Sequence, residues 1–446
     1  MDLKGRVLLV NPWIHDFAAY NLWIEPLGLL TIGAALRQTG YAVSVLDCLG
    51  PGAAKRPGWP HGAGKFLKAE LPKPPAVAGV PRRYGRYGLP IEEFNARLAA
   101  LPTPDLVLVA SGMTYWYPGV VEVIARIRQR FGGVPVALGG VYATLCPEHA
   151  RQVSGADLVI AGPGMVPALR FAGEVSGHDL DPDLAALYAD PSTWPPPAHD
   201  LVPRAFAGLL TSWGCPYRCS YCAGDLLQPI LARREPAAVL AEVDEGVRRG
   251  IHDWAFYDDA LLLDADQHIV PILEGLVAGG LRLRLHAPNG LHIRAITPGV
   301  AGLLQQAGLD VAWLSLETAN AERQRATGGK VPAGAFEAAV GFLRAAGFGP
   351  GRVGAYVLVG LPDQELEEVE DTARFVHRQG VQARLTHFSP IPGTPDGDRA
   401  LPPGSDPLLH NKTVAPYLRG EEYVRRLQRL VLIVQAGNAA LAARTH

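Results

Sequence analysis

AGLLTSW (207–213) runs straight into GCPYRCSYC (214–222), and this junction sets the frame for the whole chain. The first seven residues carry no charge and read as a short buried strand. Gly214 breaks the strand, and thiols then arrive at Cys215, Cys219 and Cys222, with three and then two residues between them. A loop at a strand end has backbone to spare from the ladder, so it can wrap three sulfurs around one face of a polynuclear centre. Iron–sulfur clusters usually take four Cys ligands. No cysteine follows Cys222, and the other two, Cys48 and Cys146, are far upstream and read as core and helix-start thiols. One iron therefore keeps an open position, as catalytic metal sites do. Zinc is the alternative occupant, but tetrahedral zinc wants four ligands in paired Cys motifs or with His at fixed spacing. His199 and His252 do not stand at such spacing.

Working downstream, strands are predicted at 253–259, 281–288, 310–318, 352–360 and 383–389, with helices such as 236–250 and 335–347 between them. Six such βα units predict a partial (β/α)6 TIM-like barrel whose site lies at the carboxyl ends of its strands. The acidic run ELEEVED (365–371) reads as a first helical turn favoured by the helix dipole. Residues 396–446 are expected to be a helical extension, with one terminal helix from Glu421.

Upstream, residues 1–173 also alternate strand and helix. Strands are predicted at 6–12, 41–47, 105–112, 134–140 and 156–164, and helices at 27–40 and after Pro118. That pattern predicts an α/β doubly wound parallel sheet. A Gly-, Pro- and base-rich insertion at about 51–104 interrupts it, as a solvated loop or a lid. Within it, RRYGRYG (82–88) reads as surface loop. Residues 174–205, with WPPPAHD at 194–200, are expected to be the linker between domains.

Bulk composition limits the partners. Hydrophobic residues make up 48% of the 446, enough for large cores. A net charge of −2 gives no support for a nucleic acid or an anionic membrane as main partner. The apolar run LGLLTIGAAL (27–36) is too short to span a bilayer, and no signal peptide is visible, so a soluble cytoplasmic chain is expected. Five cysteines in this length do not make a disulfide framework.

The C-x3-C-x2-C spacing, with Tyr221 just before the last Cys, resembles the radical S-adenosylmethionine superfamily. That resemblance extends over about 205–395, with the core barrel at 206–395. It implies a [4Fe–4S] cluster on Cys215, Cys219 and Cys222. The open iron would bind the methionine moiety of S-adenosylmethionine, and an electron would cleave the sulfonium to a 5′-deoxyadenosyl radical. The same resemblance assigns Tyr221, Asp258, Asp259, Asn289, Ser315, Glu317 and Gly360 to S-adenosylmethionine, with Asp225 a further candidate. It also implies an external electron donor such as flavodoxin or ferredoxin, and a small-molecule or peptide substrate.

The first domain resembles the cobalamin-binding domain that precedes the barrel in one branch of that superfamily. The matching pieces are VNPW (10–13), EPLGLLTIGAAL (25–36), ASGMT (110–114), LGGVYATLCPEHA (138–150) and ADLVIAGPG (156–164). They imply a cobalamin site at Asn11, Ser111, Thr114, Gly139, Gly140, Val141, Tyr142 and Gly162. Two departures stand out. The Asp-x-His-x-x-Gly signature that ligates cobalt elsewhere is absent, the chain reading WIHDFAAYNLW (13–23), and the late loop reads GPGM (162–165) in place of an acidic pair. The resemblance implies cobalamin-dependent methyl transfer to an unactivated carbon. The alternatives are a radical cyclisation or rearrangement without cobalamin and, from another class, a non-catalytic cobalamin or iron–sulfur sensor. Methylthio transfer is disfavoured, since no cysteines remain for a second cluster.

Overall fold

The computed structural model describes residues 3–54 and 63–443, so part of the insertion (KRPGWPHG, 55–62) and the last three residues lie outside it. The chain forms two compact units. The first comprises Met1–Gly208 with Leu226–Gln228 and Asp406–Leu409; the second holds the remainder.

The first unit is built on a five-stranded parallel sheet. In spatial order its strands are Leu158–Val159, Val136–Leu138, Leu106–Val109, Arg6–Asn11 and Ala42–Asp47. The period of two explains the two cores. Leu8, Val10, Val107 and Val109 face one side, packed with Val120, Val123, Ile124 and Ile127 of helix Tyr117–Phe131. Val7, Leu9, Leu106 and Leu108 face the other, packed with helices Leu27–Gln38 and Met165–Ser176. With helices on both faces the sheet is doubly wound. Its strand order reverses between Arg6–Asn11 and Leu106–Val109, the point where such folds open a crevice.

The insertion departs from the loop predicted for it. Its described part contains strands Lys68–Glu70 and Gly85–Tyr87 and helix Ile91–Ala100. Gly85–Tyr87 pairs antiparallel with Ile14–Asp16, which lies just past the first strand. RRYGRYG is accordingly not a surface loop. Tyr84 and Tyr87 are buried, and Arg86 is ion-paired to Glu122 at 2.7 Å. The stretch expected as a linker also packs on the first unit. Tyr188, Trp194 and Leu201 join the second of its cores, and Tyr188 Oη donates to Gln38 Oε1 at 2.8 Å.

One sheet orders Phe206–Leu209, at whose last residue the second unit begins, Asp253–Phe256 and Arg284–His286, and another orders Ala312–Glu317, Val353–Val359 and Gln382–His387. Asp253–Phe256 runs parallel to Arg284–His286, and Val353–Val359 runs parallel to both of its neighbours. Parallel bridges Leu285↔Leu309 and Leu291↔Leu314 link the third strand's region to the fourth. The result is an open, six-stranded barrel with helices such as Pro236–Arg248, Ile269–Ala278, Ala335–Ala345 and Leu366–Arg378 outside it. Helix Glu421–Ala443 ends the described chain. Among the described residues no helix is long and apolar enough to cross a membrane.

Candidate active site

The three thiols leave the first barrel strand on a loop fixed at several points. Cys222 N–H donates to Cys219 O at 3.0 Å. Ser220 Oγ donates to buried Asp396 Oδ2 at 2.6 Å, and Asp396 N–H returns to Ser220 O at 2.9 Å. Arg218 pairs with Asp225, which occupies that carboxylate with the loop's own charge. All five cysteines are free thiols. Burial, and then the charge of neighbouring sulfurs and Asp259, raises the Cys215 and Cys222 thiols above their ordinary range. Bound iron supplies the positive charge that deprotonated sulfurs here need. Among the described residues no group of His, Cys, Asp or Glu side chains is focused on one ion. Cys219 and Cys222 both act on the Cys215 thiol, and Cys219 acts on Cys222, so the three sulfurs share one neighbourhood as ligands of one cluster would.

Around this loop the structure sorts the residues expected to bind S-adenosylmethionine. Asp258 is fully committed to the fold. Its Oδ1 accepts from Thr211 N–H (3.1 Å), Thr211 Oγ (2.6 Å), Ser212 N–H (2.7 Å) and Ser212 Oγ (2.6 Å). Asp259, one residue on, points the other way, as adjacent residues at a strand end do. Its carboxyl, raised by burial and then by Asp258, takes the Gly214 N–H and lies near Cys215 and Cys222. Asn289 Nδ2 donates to Tyr257 O at 3.0 Å, tying the third strand's exit to the second's. Ser315 is buried beside Gly290, whose added Cβ would fall 2.5 Å from Ser315 Oγ. Gly360 N–H donates to Gln364 Oε1 at 2.8 Å. Tyr221 packs on Leu358, Leu361 and Phe388, an apolar wall at the ends of strands five and six.

Glu317 stands in a strained backbone conformation. It ends the fourth strand at φ 66° beside a register shift, in a region that few residues other than glycine adopt. Its Oε1 accepts from Lys330 Nζ at 2.9 Å, with the two side chains only 16% and 12% exposed. Burial pulls the Lys330 ammonium down, but Glu317 and then Cys219 outweigh it, and the net shift is upward. The ammonium also lies 5.9 Å from the centroid of the Tyr221 ring. Lys330 gave no sequence signal beyond the glycine pair Gly328-Gly329 before it. His292 was also missed: its ring stacks on Tyr217 of the cysteine loop at 4.8 Å. Burial, then Lys330 and Arg294, lowers it to about 4.

At the carboxyl edge of the first unit's sheet, Ser111, Gly139, Gly140, Val141 and Tyr142 come together. Ser111 Oγ donates to Gly139 O at 2.6 Å and accepts from Ala143 N–H at 3.2 Å. Gly140 adopts φ +98°, and a Cβ there would lie 2.4 Å from Ser111 O, so only glycine lets the two loops touch. Gly139 and Gly162 instead border open space, with nothing nearer than 3.9 Å to an added Cβ at the first and nothing within 4 Å at the second. Thr114 is buried where the 3₁₀ turn Thr114–Trp116 begins. Asn11, at the end of the neighbouring strand, donates to Asp47 Oδ1 at 2.7 Å. Tyr142 turns into the core, its hydroxyl 2.6 Å from His149 Nδ1. In the segment where other cobalamin proteins carry a cobalt ligand, His15 Nε2 is 3.0 Å from Glu122 Oε2. The glycine-lined space fits a bulky cofactor tail, while no histidine is offered for cobalt at that place.

A thiol loop of this spacing at the mouth of a partial parallel barrel defines a radical S-adenosylmethionine domain. Residues 209–376 match the family described as the Radical SAM superfamily, so the chain is an enzyme that carries a domain of that family. A [4Fe–4S] cluster and S-adenosylmethionine are the cofactors this domain implies. The chain is similar to an uncharacterized methyltransferase of Pyrococcus horikoshii, 23% identical over 387 residues, covering 74% of this chain and 82% of that protein. It shares its fold with the radical S-adenosylmethionine methyltransferase TsrM from Kitasatospora setae, solved with tryptophan and an S-adenosylmethionine analogue, at TM-score 0.65 and 20% identity, covering 89% and 75% of the two chains. It also shares its fold with the cobalamin-dependent S-adenosylmethionine radical enzyme OxsB, solved with aqua-cobalamin, at TM-score 0.56 and 14% identity, covering 95% and 56%.

Proposed function

We propose that the chain is a cobalamin-dependent radical methyltransferase acting on an unactivated carbon of a small molecule. The observation that carries this is a single chain joining the cysteine-loop barrel to a doubly wound sheet whose carboxyl-edge loops leave glycine-lined space. The proteins of shared fold support it, since TsrM is a methyltransferase and both it and OxsB were solved with cobalamin. When bound, the cluster supplies one low-potential electron to S-adenosylmethionine, and cobalamin supplies a methyl group. The protein's own part is positional. Cys215, Cys219 and Cys222 hold the cluster. Asp259, Asn289, Ser315 and Glu317 present polar groups to the methionine and ribose, and Tyr221 with Leu358 and Phe388 excludes water beside them. Ser111, Gly139, Gly140 and Gly162 shape the cobalamin site, with Thr114 beside them. A flavodoxin or ferredoxin in a reducing cytoplasm would be the electron source.

Radical cyclisation or rearrangement without cobalamin is the second reading, favoured by the engagement of His15 with Glu122. Anaerobic reconstitution with iron and sulfide should load about four irons per chain. S-adenosylmethionine and reductant should then release 5′-deoxyadenosine or S-adenosylhomocysteine, and Cys219→Ala should abolish cleavage. A chain that loads no cluster, or a Cys219→Ala protein as active as the parent, overturns the radical reading. A loaded, active chain that binds no cobalamin selects the second one.

A further inference from the structure

We propose that Tyr84, supplied by the insertion, is a cobalamin-contact residue whose hydroxyl donates to a side-chain carboxamide oxygen of the bound corrinoid. The inference rests on the cobalamin reading above and adds a residue that the known pieces of the domain do not contain.

Tyr84 is 3% exposed, and its buried hydroxyl has no hydrogen-bond partner among the described residues. Its ring is held edge-on by Phe17 at 5.2 Å and by His15 at 6.5 Å, so the hydroxyl is aimed rather than loose. Burial, and then the charges of Asp16, Tyr117 and Asp406, keeps the phenol protonated, a donor with nothing to donate to. The neighbouring hydroxyls are taken. Tyr117 Oη donates to Asp406 Oδ1 at 3.4 Å, Tyr142 Oη meets His149 at 2.6 Å, and Tyr87 Oη donates to Phe17 O at 2.7 Å.

Tyr84 stands beside the segments that flank the crevice. Tyr84 immediately precedes Gly85–Tyr87, and Gly85 pairs with Asp16 on the segment just beyond the first strand. Trp116 Nε1, just beyond the third strand, donates to Asp16 Oδ2 at 2.8 Å. The first and third strands flank the reversal of strand order, where the outgoing chains part and doubly wound folds bind their ligands. A buried donor left unmade costs stability, and phenylalanine would fill the same volume without that cost. A hydroxyl kept there is accounted for by a ligand acceptor that arrives later. Corrinoids carry a ring of neutral carboxamides, which accept from a phenol without requiring a charged partner.

The test compares the full-length parent with Tyr84→Phe, using hydroxocobalamin as the probe and absorbance titration with equilibrium dialysis as the readout. Tyr84→Phe should raise the melting temperature of the cobalamin-free protein by roughly 1–4 °C, and should weaken hydroxocobalamin binding about 5- to 10-fold. Tyr87→Phe, which loses a made hydrogen bond, should shift the melting temperature downward. Equal affinity of the parent and Tyr84→Phe overturns the inference while leaving the cobalamin reading intact. A drop in melting temperature for Tyr84→Phe with unchanged affinity also overturns it, since the hydroxyl then serves the free fold. A parent that binds no hydroxocobalamin overturns the cobalamin reading itself.

Discussion

At the scale of single residues, what the sequence revealed was the chemistry whose spacing is its signature. Cys215, Cys219 and Cys222 could be read directly, because three thiols on one loop have few other uses. Asp258 and Asp259 could not be told apart. They are adjacent and chemically identical, and only the direction each leaves the strand end makes one a bracket for Thr211 and Ser212 and the other a neighbour of the cluster loop. Lys330 was invisible for the opposite reason: one lysine after two glycines has no pattern, and its importance comes from the partner it finds. That pair gives a test by double-mutant cycle. Lys330→Met leaves Glu317 buried with its charge uncompensated, and should destabilise the cluster-free protein by about 2–4 kcal/mol in urea unfolding. Glu317→Gln in the same background should recover most of that loss. If the double variant is as unstable as the sum of the single ones, the ion pair is not what holds this strained strand end.

At the scale of elements, long strands and helices were legible, and the short antiparallel pieces were not. Arg6–Asn11 and Leu106–Val109 are buried on both faces and read as unbroken apolar runs. Ile14–Asp16 and Gly85–Tyr87 have three residues each, too few for a period of two to register, and they are defined only by pairing, the second with both the first and Lys68–Glu70. The helix Tyr117–Phe131 carries a related lesson. Gly119 lies in its first turn, where alanine would improve helix propensity by about 1 kcal/mol. A Cβ at Gly119, however, would fall 2.1 Å from Trp13 O. Backbone contact at that distance must be relieved by moving the segment that carries Ile14–Asp16, and this penalty exceeds the propensity gain. Gly119→Ala should therefore destabilise the protein by about 2–4 kcal/mol, measured by thermal unfolding. An unchanged or higher melting temperature would show that helix propensity, not close approach, governs the position.

At the scale of the molecule, the order of the two folds was legible from the residues alone but their response to acid was not, because that depends on which titratable groups burial has trapped. His268, in the second unit, is lowered to about 4, chiefly by burial and then by Arg233, and its Nε2 lies 3.0 Å from Thr211 Oγ. Its folded value lies below the ordinary 6.5, so the unfolded chain takes up the proton first, and stability falls as pH drops from 6.5 toward 4. Glu122, in the first unit, works lower on the scale. Burial pushes it up, but His15, Arg126 and Arg86 outweigh that and hold it at about 2. Its contribution is whole above 4.5 and is lost as pH falls from there toward 2. Glu122 is partly exposed, so screening holds its contribution to about 1–2 kcal/mol, while His268 is buried and is screened less. Acid should thus weaken the two units in sequence. In urea unfolding followed from pH 7 to pH 2.5, His268→Gln should flatten the decline above pH 4 and spare the one below it, while Glu122→Gln should do the reverse. If Glu122→Gln instead relieves the upper decline, the network around His15 is not what fixes the first unit against acid, and the distinction between the two units in their response to protons fails.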